Sequence, residues 1–156
     1  MPGLPAPVSP FVYLASASPR RQALLTQLGV RHESLRVAVD ETPRAGEGAE
    51  DLVCRLAAAK AQAGLTVRRS PIAPVVAADT AVALGDELFG KPADRADGVR
   101  MLGRLAARTH VVWTAVAVTD GQRERVELSR SEVTFRALAP EEIAAYWRTG
   151  EPADKA

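Results

Sequence analysis

Cysteine, aromatic residues and net charge are all scarce in this sequence. Its 156 residues include one cysteine, Cys54, which excludes an intrachain disulfide and a cysteine-based metal cluster. The net charge of +1 at pH 7 and the lack of basic residues interleaved with aromatic ones argue against nucleic acid as a partner. No run approaches the roughly 20 apolar residues that span a bilayer, so a membrane protein is not expected. What remains is an ordinary globular composition, with 47% apolar and 25% charged residues.

The chain opens with a proline-rich stretch that has neither the basic nor the apolar region of a secretory signal. We therefore predict a flexible tail over residues 1–10 of a cytoplasmic protein. Residues 11–156 are predicted to form a single domain, which at this length can bury a sizeable core. Cys54 and Trp113 lie in apolar segments, so both are predicted to belong to that core.

Hydrophobic periodicity predicts strands and helices that alternate at first and end in a hairpin. The predicted strands are 11–14, 32–39, 75–84, 110–119 and 124–137, and the predicted helices are 19–28, 49–63, 94–105 and 141–148. In the first helix, Leu24, Leu25 and Leu28 predict an apolar face, and Asp120-Gly121 predicts a hairpin turn. The pattern predicts an α/β fold with a mixed, mostly central β-sheet flanked by helices. Ligands of such sheets bind outside the strand ends.

The stretch over residues 11–29 joins a buried strand to a helix N-terminus. Ser18 is suited to cap that helix through its hydroxyl, and Pro19 to occupy its first turn. Arg20 and Arg21 follow at once, although cations are unfavourable near the positive end of the helix dipole. A bound anion would offset that cost, because helix N-termini bind anions. The alternative is a capped helix with two solvated arginines.

Three acidic residues are candidates for chemistry. Asp79 lies inside the apolar run of the central strand, where a carboxylate is costly unless it is paired, hydrogen-bonded or bound to metal. It is either a catalytic group or a strand-end aspartate that caps a turn. Asp40 and Glu41 are adjacent, so in an extended loop only one of them can face a given site. The alternative for this pair is a solvated acidic loop.

Two lysines lie in different surroundings. Lys60 belongs to an alanine-rich helix, where a lysine lying along the helix surface is the usual explanation. Lys91 is held between Gly90 and Pro92, and the fixed backbone of the proline favours a positioned charge there.

Short motifs along the chain resemble, in the same order, those of the Maf family of nucleoside triphosphate pyrophosphatases. The first is Ser16-Ala17-Ser18-Pro19-Arg20-Arg21, which precedes a leucine-rich helix. The later ones are Asp40-Glu41-Thr42-Pro43, Leu56-Ala57-Ala58-Ala59-Lys60-Ala61, Ala78-Asp79-Thr80, Gly90-Lys91-Pro92, Thr109-His110-Val111, Val133-Thr134-Phe135-Arg136 and Gly150-Glu151-Pro152-Ala153-Asp154-Lys155-Ala156. Each motif alone is weak, whereas the ordered set is specific and covers the chain from Tyr13 to its end.

The resemblance implies a Maf/ITPase-like fold and hydrolysis of the α–β phosphate bond of a nucleoside triphosphate, an activity that would clean nucleotide pools. It implies Asp79 as the proton acceptor, and Glu41 and Asp79 as ligands of a divalent cation, Mg²⁺ or Mn²⁺. The residues implied for substrate binding are Ser18, Arg20, Arg21, Lys60, Thr80 and Lys91. Arg20 and Thr80 are similar to the dTTP/UTP branch, whereas the 7-methyl-GTP branch has tryptophan in place of Arg20.

One departure from the family concerns the end of the chain. Family members continue beyond Asp154-Lys155-Ala156 with a C-terminal segment that this sequence lacks. We therefore expect a chain of reduced stability, aggregation-prone along an exposed strand edge, and weak or inactive as a pyrophosphatase. The rival function is a regulatory binding protein of cell division, since the family's name comes from inhibition of septum formation. A homodimer is left open.

Overall fold

The computed structural model describes residues 10–154, so nearly all of the predicted tail lies outside the described residues. The strands are β1 (Phe11–Leu14), β2 (Arg31–Ser34), β3 (Val75–Leu84), β4 (Glu87–Phe89), β5 (Thr109–Thr119) and β6 (Glu124–Thr134). The helices are α1 (Pro19–Gln27), α2 (Ala49–Val67), α3 (Arg95–Leu105) and α4 (Pro140–Arg148), followed by a short 3-10 helix over Glu151–Asp154. Within residues 10–154, no helix is both long enough and apolar enough to cross a bilayer.

The strands form one mixed sheet in the order β2-β1-β3-β5-β6, and β4 pairs with β3 beside this path. β1 runs parallel to β2 and to β3, whereas β4 is antiparallel to β3. Between β5 and β6, the Asp120 carboxylate accepts hydrogen bonds from the backbone N–H groups of Gln122 and Arg123, both at 2.8 Å. The predicted mixed α/β fold, with helices flanking the sheet, is confirmed, and so is the hairpin turn.

β6 ends this strand order and is exposed along most of its length. Arg125 pairs with Glu127 at 2.6 Å, and Arg130 pairs with Glu132 at 2.8 Å. The members of each pair are two residues apart and therefore lie on the same face of the strand. Charged side chains on an edge strand discourage pairing with a strand of another molecule. The aggregation expected along an exposed edge stays a prediction.

The chain divides into two compact units. Unit 1 comprises Met1–Thr42, Cys54–Ala78 and Val116–Glu127, and unit 2 comprises Pro43–Val53, Asp79–Ala115 and Leu128–Ala156. The boundary between unit 1 and unit 2 crosses β3 at the Ala78–Asp79 peptide bond. The single domain predicted over residues 11–156 stays a prediction.

In unit 1, α2 approaches β3 closely at a glycine. A Cβ at Gly64 would lie 2.5 Å from Val75 Cγ1 and 3.2 Å from Ala15 Cβ, so a side chain at this position would require its neighbours to move. The predicted end of this helix at residue 63, just before Gly64, is wrong, because α2 continues to Val67. The glycine permits close packing here and does not terminate the helix.

In unit 2, α3 covers a short hairpin formed by β3 and β4. Val82, Phe89, Met101 and Leu105 form its buried cluster. The helix begins one residue after its predicted start at Asp94, whose carboxylate caps it by accepting a hydrogen bond from the Asp97 N–H at 2.8 Å. The three-residue strand β4, which follows a turn at Gly85-Asp86, was not among the predicted strands.

Several predicted details of α1 are wrong. Ser18 occupies the N-cap position, but its hydroxyl makes no capping hydrogen bond. None of the residues of α1 is fully buried, and Leu24 and Leu28 are 57% and 74% exposed. Leu25 is partly buried. Periodicity places three leucines on one face of a helix, but it does not establish that another element covers that face.

Other predicted boundaries and burials also differ. β2 ends at Ser34 rather than residue 39, because its partner β1 ends at the paired residue Leu14. β6 ends at Thr134 rather than residue 137; its hydroxyl meets that of Thr109, where β5 begins, at 2.7 Å. Cys54 and Trp113 are half-buried rather than core residues. The Arg130 guanidinium lies 5.7 Å from the Trp113 ring centroid, an amphipathic arrangement typical of a ring at the surface.

His110 predicts a pH dependence of stability. It is only 4% exposed, its ring packs edge-on against Phe135, and its Nδ1 has no hydrogen-bond partner among residues 10–154. Burial lowers the pKa of His110 below its usual 6.5. Below pH 6.5 the unfolded chain binds a proton that the folded protein binds less well, so stability falls as the pH drops towards the lowered pKa.

We therefore expect the melting temperature to fall between about pH 7.5 and pH 5.5, and to fall less in a His110→Leu variant than in the wild type. Differential scanning fluorimetry across this range measures both slopes. His32→Asn is the control, since His32 is the other histidine in the chain and is half-buried. A His110→Leu slope equal to that of the wild type would contradict the assignment.

Candidate active site

The loop between β1 and α1 is organised by a serine that precedes the predicted cap. Ser16 Oγ accepts hydrogen bonds from the Ser18 N–H at 3.1 Å and from Arg21 Nη1 at 3.4 Å. Ser16 thereby holds both the loop backbone and one of the two arginines, whereas Arg20 is exposed on the first turn of α1. Ser16 was not among the predicted site residues. The Ser-x-Ser spacing could have indicated it, because a serine hydroxyl can accept a hydrogen bond from the backbone N–H two residues later.

The acidic loop and α2 meet in an ion pair. Lys60 Nζ lies 2.7 Å from Glu41 Oε1, and the Lys60 side chain is only 13% exposed whereas that of Glu41 is 62% exposed. The neighbouring Asp40 carboxylate accepts the Thr42 N–H at 3.0 Å. The loop is tied to α2 a second time by Arg55, which donates to the Thr42 carbonyl at 3.1 Å. Glu41 therefore contacts another predicted site residue, Lys60.

Asp79 and Thr80 lie side by side in β3, on the unit 2 side of the boundary. Asp79 is 9% exposed, and the nearby strand residues Ala77, Ala78 and Ala81 are buried, as the apolar run predicted. The Thr80 hydroxyl meets the Thr114 hydroxyl of β5 at 3.0 Å. Thr114 is a second residue that sequence analysis did not find, since no local pattern links two threonines 34 positions apart.

Lys91 follows β4 and is exposed in the connection to α3. With Asp79 and Thr80 it belongs to unit 2. Unit 1 contains the other predicted site residues, which are Ser18, Arg20, Arg21, Glu41 and Lys60. The structure thus brings Glu41 into contact with Lys60, and it places Asp79 next to Thr80 in one strand.

A divalent cation was also expected, with Glu41 and Asp79 as its ligands. Among residues 10–154, no three His, Cys, Asp or Glu side chains come together as a metal site. Mg²⁺ commonly binds through one or two carboxylates together with substrate phosphates, so it does not require such a cluster. The carboxylate of Asp79 suits such a cation, and that of Glu41 contacts Lys60 through Oε1.

Unit 2 also contains an apolar cavity of about 530 Å³. Its lining residues come from α3, α4 and the end of β6 and include Leu102, Phe135, Leu138 and Ile143. At its edge, Arg136 forks onto the Glu142 carboxylate with bonds of 3.0 and 2.6 Å. The hydrogen bond from Arg136 lowers the pKa of Glu142 to about 2. None of the predicted site residues lines this cavity.

Comparison with known proteins places these features in a family. Residues 11–156 match a family model described as Maf-like protein. The chain is 51% identical over 167 residues to a dTTP/UTP pyrophosphatase of Burkholderia pseudomallei, with 100% of the chain and 80% of the relative covered. It is 52% identical over 146 residues to one of Myxococcus xanthus, with 94% and 73% covered, and 47% identical over 162 residues to one of Aromatoleum aromaticum, with 96% and 79% covered. The chain belongs to the Maf-like protein family.

Proposed function

We propose that this chain hydrolyses dTTP and UTP to the nucleoside monophosphate and pyrophosphate, and so removes triphosphates from nucleotide pools. The observation that carries the proposal is the identity of about 50% with relatives named dTTP/UTP pyrophosphatases, over 94% or more of the chain. The proposal includes a cytoplasmic location, since nucleotide pools are cytoplasmic. It leaves a homodimer to be measured by light scattering.

Asp79 is the general base of the proposed reaction. A water molecule attacks the α-phosphorus, the bond from that phosphorus to the bridging oxygen breaks, and pyrophosphate leaves. Asp79 accepts the proton of the attacking water. Its position inside an apolar strand supports this role, because a carboxylate with 9% exposure is held in one place and is largely shielded from bulk solvent.

Four cationic side chains neutralise the triphosphate in this proposal. Arg20 and Arg21 offer planar guanidinium groups that can bond two phosphate oxygens at once. Lys60 and Lys91 contribute point charges. Arg21 and Lys60 are already held by Ser16 and Glu41 respectively, so part of this charge is positioned in the protein alone. Ser18 and Thr80 complete the proposed substrate contacts.

Asp79 would hold the proposed divalent cation together with the substrate phosphates. When bound, Mg²⁺ or Mn²⁺ would offset phosphate charge and make the attacking water more acidic. Glu41 is the second proposed ligand; its Oε1 contacts Lys60 at 2.7 Å, and an ionised carboxylate has further lone pairs for a cation.

The proposal predicts a substrate order. With saturating Mg²⁺, we expect kcat/KM for dTTP and UTP to exceed that for ATP and GTP by about tenfold or more. The assay measures phosphate released with and without added inorganic pyrophosphatase. Phosphate that depends on the added enzyme identifies pyrophosphate as the product and excludes removal of the γ-phosphate alone.

Two outcomes would contradict the proposal in different ways. A preference for 7-methyl-GTP would overturn the dTTP/UTP assignment and keep the reaction. A folded protein, verified by circular dichroism, that turns over none of these triphosphates would overturn the reaction and favour the regulatory binding protein.

A further inference from the structure

Thr80 and Thr114 form a hydroxyl pair beside Asp79. The two Oγ1 atoms lie 3.0 Å apart, one residue on β3 and the other on β5, and both side chains are half-buried in unit 2. Thr80 directly follows the proposed base in the strand. One member of the pair is therefore adjacent to the proposed general base, although the other member is 34 positions away in sequence.

A hydrogen bond between two hydroxyls determines which proton and which lone pairs remain available to a third group. One proton lies between the two oxygens, so the accepting hydroxyl can direct its own proton only to another acceptor. Threonine is also restricted at χ1, because its Cβ is branched. Thr114 thus limits the Thr80 hydroxyl in both rotamer and proton direction, which lowers the entropy that Thr80 loses when it binds a ligand.

We propose that Thr114 is a positioning residue, which orients the Thr80 hydroxyl for the nucleoside triphosphate. This inference rests on the proposed function and adds a residue to its site. Thr114 acts through Thr80 and needs no contact with the substrate. Because the oriented hydroxyl binds substrate and transition state alike, its loss raises KM and leaves kcat nearly unchanged.

The test is a double-mutant cycle on KM for dTTP. Thr114→Val keeps the shape of the side chain and removes the hydroxyl, and we expect it to raise KM about three- to tenfold, the size of one hydrogen bond. Thr114→Ser keeps the hydroxyl and should stay within about twofold of the wild type. In a Thr80→Val background, Thr114→Val should raise KM no further, because the group it positions is gone.

β5 offers a matched control. Thr109 Oγ1 and Thr134 Oγ1 form a second hydroxyl pair, at 2.7 Å, on the same strand and also in unit 2. Thr109→Val breaks a hydroxyl pair of the same kind that does not include Thr80, so it should leave KM and kcat unchanged. Melting temperatures of all variants separate a loss of stability from a loss of binding.

The inference is overturned if Thr114→Val leaves KM unchanged, or if it raises KM equally with and without the Thr80 hydroxyl. Thr109→Val matching the effect of Thr114→Val would also overturn it, since the effect would then come from removing any threonine hydroxyl of β5.

The dissociation constant of dTTP, measured by calorimetry, separates this failure from failure of the proposed function. If the wild type binds dTTP without hydrolysing it, the proposed reaction fails, and the same cycle on the dissociation constant decides the role of Thr114. If the wild type neither binds nor hydrolyses dTTP, both fail.

Discussion

Asp79→Asn is expected to lower kcat for dTTP by a factor of about 100 to 1,000, the range seen when a single preorganised polar group is removed from an active site. The amide has nearly the shape of the carboxylate but cannot accept the proton of the attacking water. The charge that would hold a divalent cation is lost as well. Because the side chain is 9% exposed and keeps its volume, we expect the variant to fold and to melt close to the wild type. Single-turnover kinetics with excess enzyme measure the chemical step directly.

Asp86→Asn is the matched control for that result. Asp86 is exposed in the turn that follows β3, so the same substitution removes the same charge from unit 2 at a position outside the proposed site. It should leave kcat within about twofold, because exposed charges away from a site are weakly felt through water. Wild-type turnover by Asp79→Asn would eliminate the mechanism, and equal losses in both variants would assign the effect to net charge.

Gly98→Ala is expected to lower the free energy of unfolding by about 1–3 kcal/mol, the usual effect of overpacking. Alanine normally stabilises a helix relative to glycine by roughly 1 kcal/mol, so the expected sign is the reverse of the ordinary one. The reason is Trp147 of α4, since a Cβ on Gly98 would overlap the Cζ3, Cε3 and Cη2 atoms of its ring. A rigid ring packed between two helices cannot rotate away as a lysine could. At this chain length each kcal/mol corresponds to about 2–4 °C in melting temperature.

Gly103→Ala provides the opposite expectation in the same helix. Gly103 also lies in α3, but a Cβ there meets nothing within 4 Å. The normal preference then applies, and the variant should gain about 0.5–1 kcal/mol. Urea denaturation of the two variants side by side tests the packing of α3 on α4. Stabilisation by both substitutions would contradict the close contact between Gly98 and Trp147.

Elements whose start and stop are determined locally were predictable from sequence. The run over residues 75–84 is a strand throughout, α3 begins within one residue of its predicted start, and Asp120-Gly121 makes the hairpin turn. Each of these depends on residues within a few positions of one another. Gly64 was misinterpreted because its role depends on Val75, which is close in space and separate in sequence. The leucines of α1 were misinterpreted because helical periodicity carries no information about which surface another element covers.

The same distinction between local features and contacts distant in sequence applies to the candidate site. Its residue types and their order could be taken from the motifs, but the contacts between them could not. Lys60 appeared to be an ordinary surface lysine of an alanine-rich helix, and the structure shows it mostly buried against Glu41. Thr114 stands in no unusual pattern, and the Ser-x-Ser spacing does not predict that Ser16 contacts Arg21. Only the folded chain reveals that these two hydroxyls hold Thr80 and Arg21.

The paired charges of β6 have a consequence for handling the protein. Ion pairs as exposed as Arg125 with Glu127 contribute little to folding, so their main effect is on how molecules meet. That effect is electrostatic and has a range of about 10 Å in 0.1 M salt but only about 3 Å in 1 M salt. Concentrated salt therefore weakens the colloidal barrier between edge strands while leaving each molecule folded. A buffer of low ionic strength, away from the isoelectric point near pH 7.9, is the condition in which concentrated samples should stay monodisperse longest.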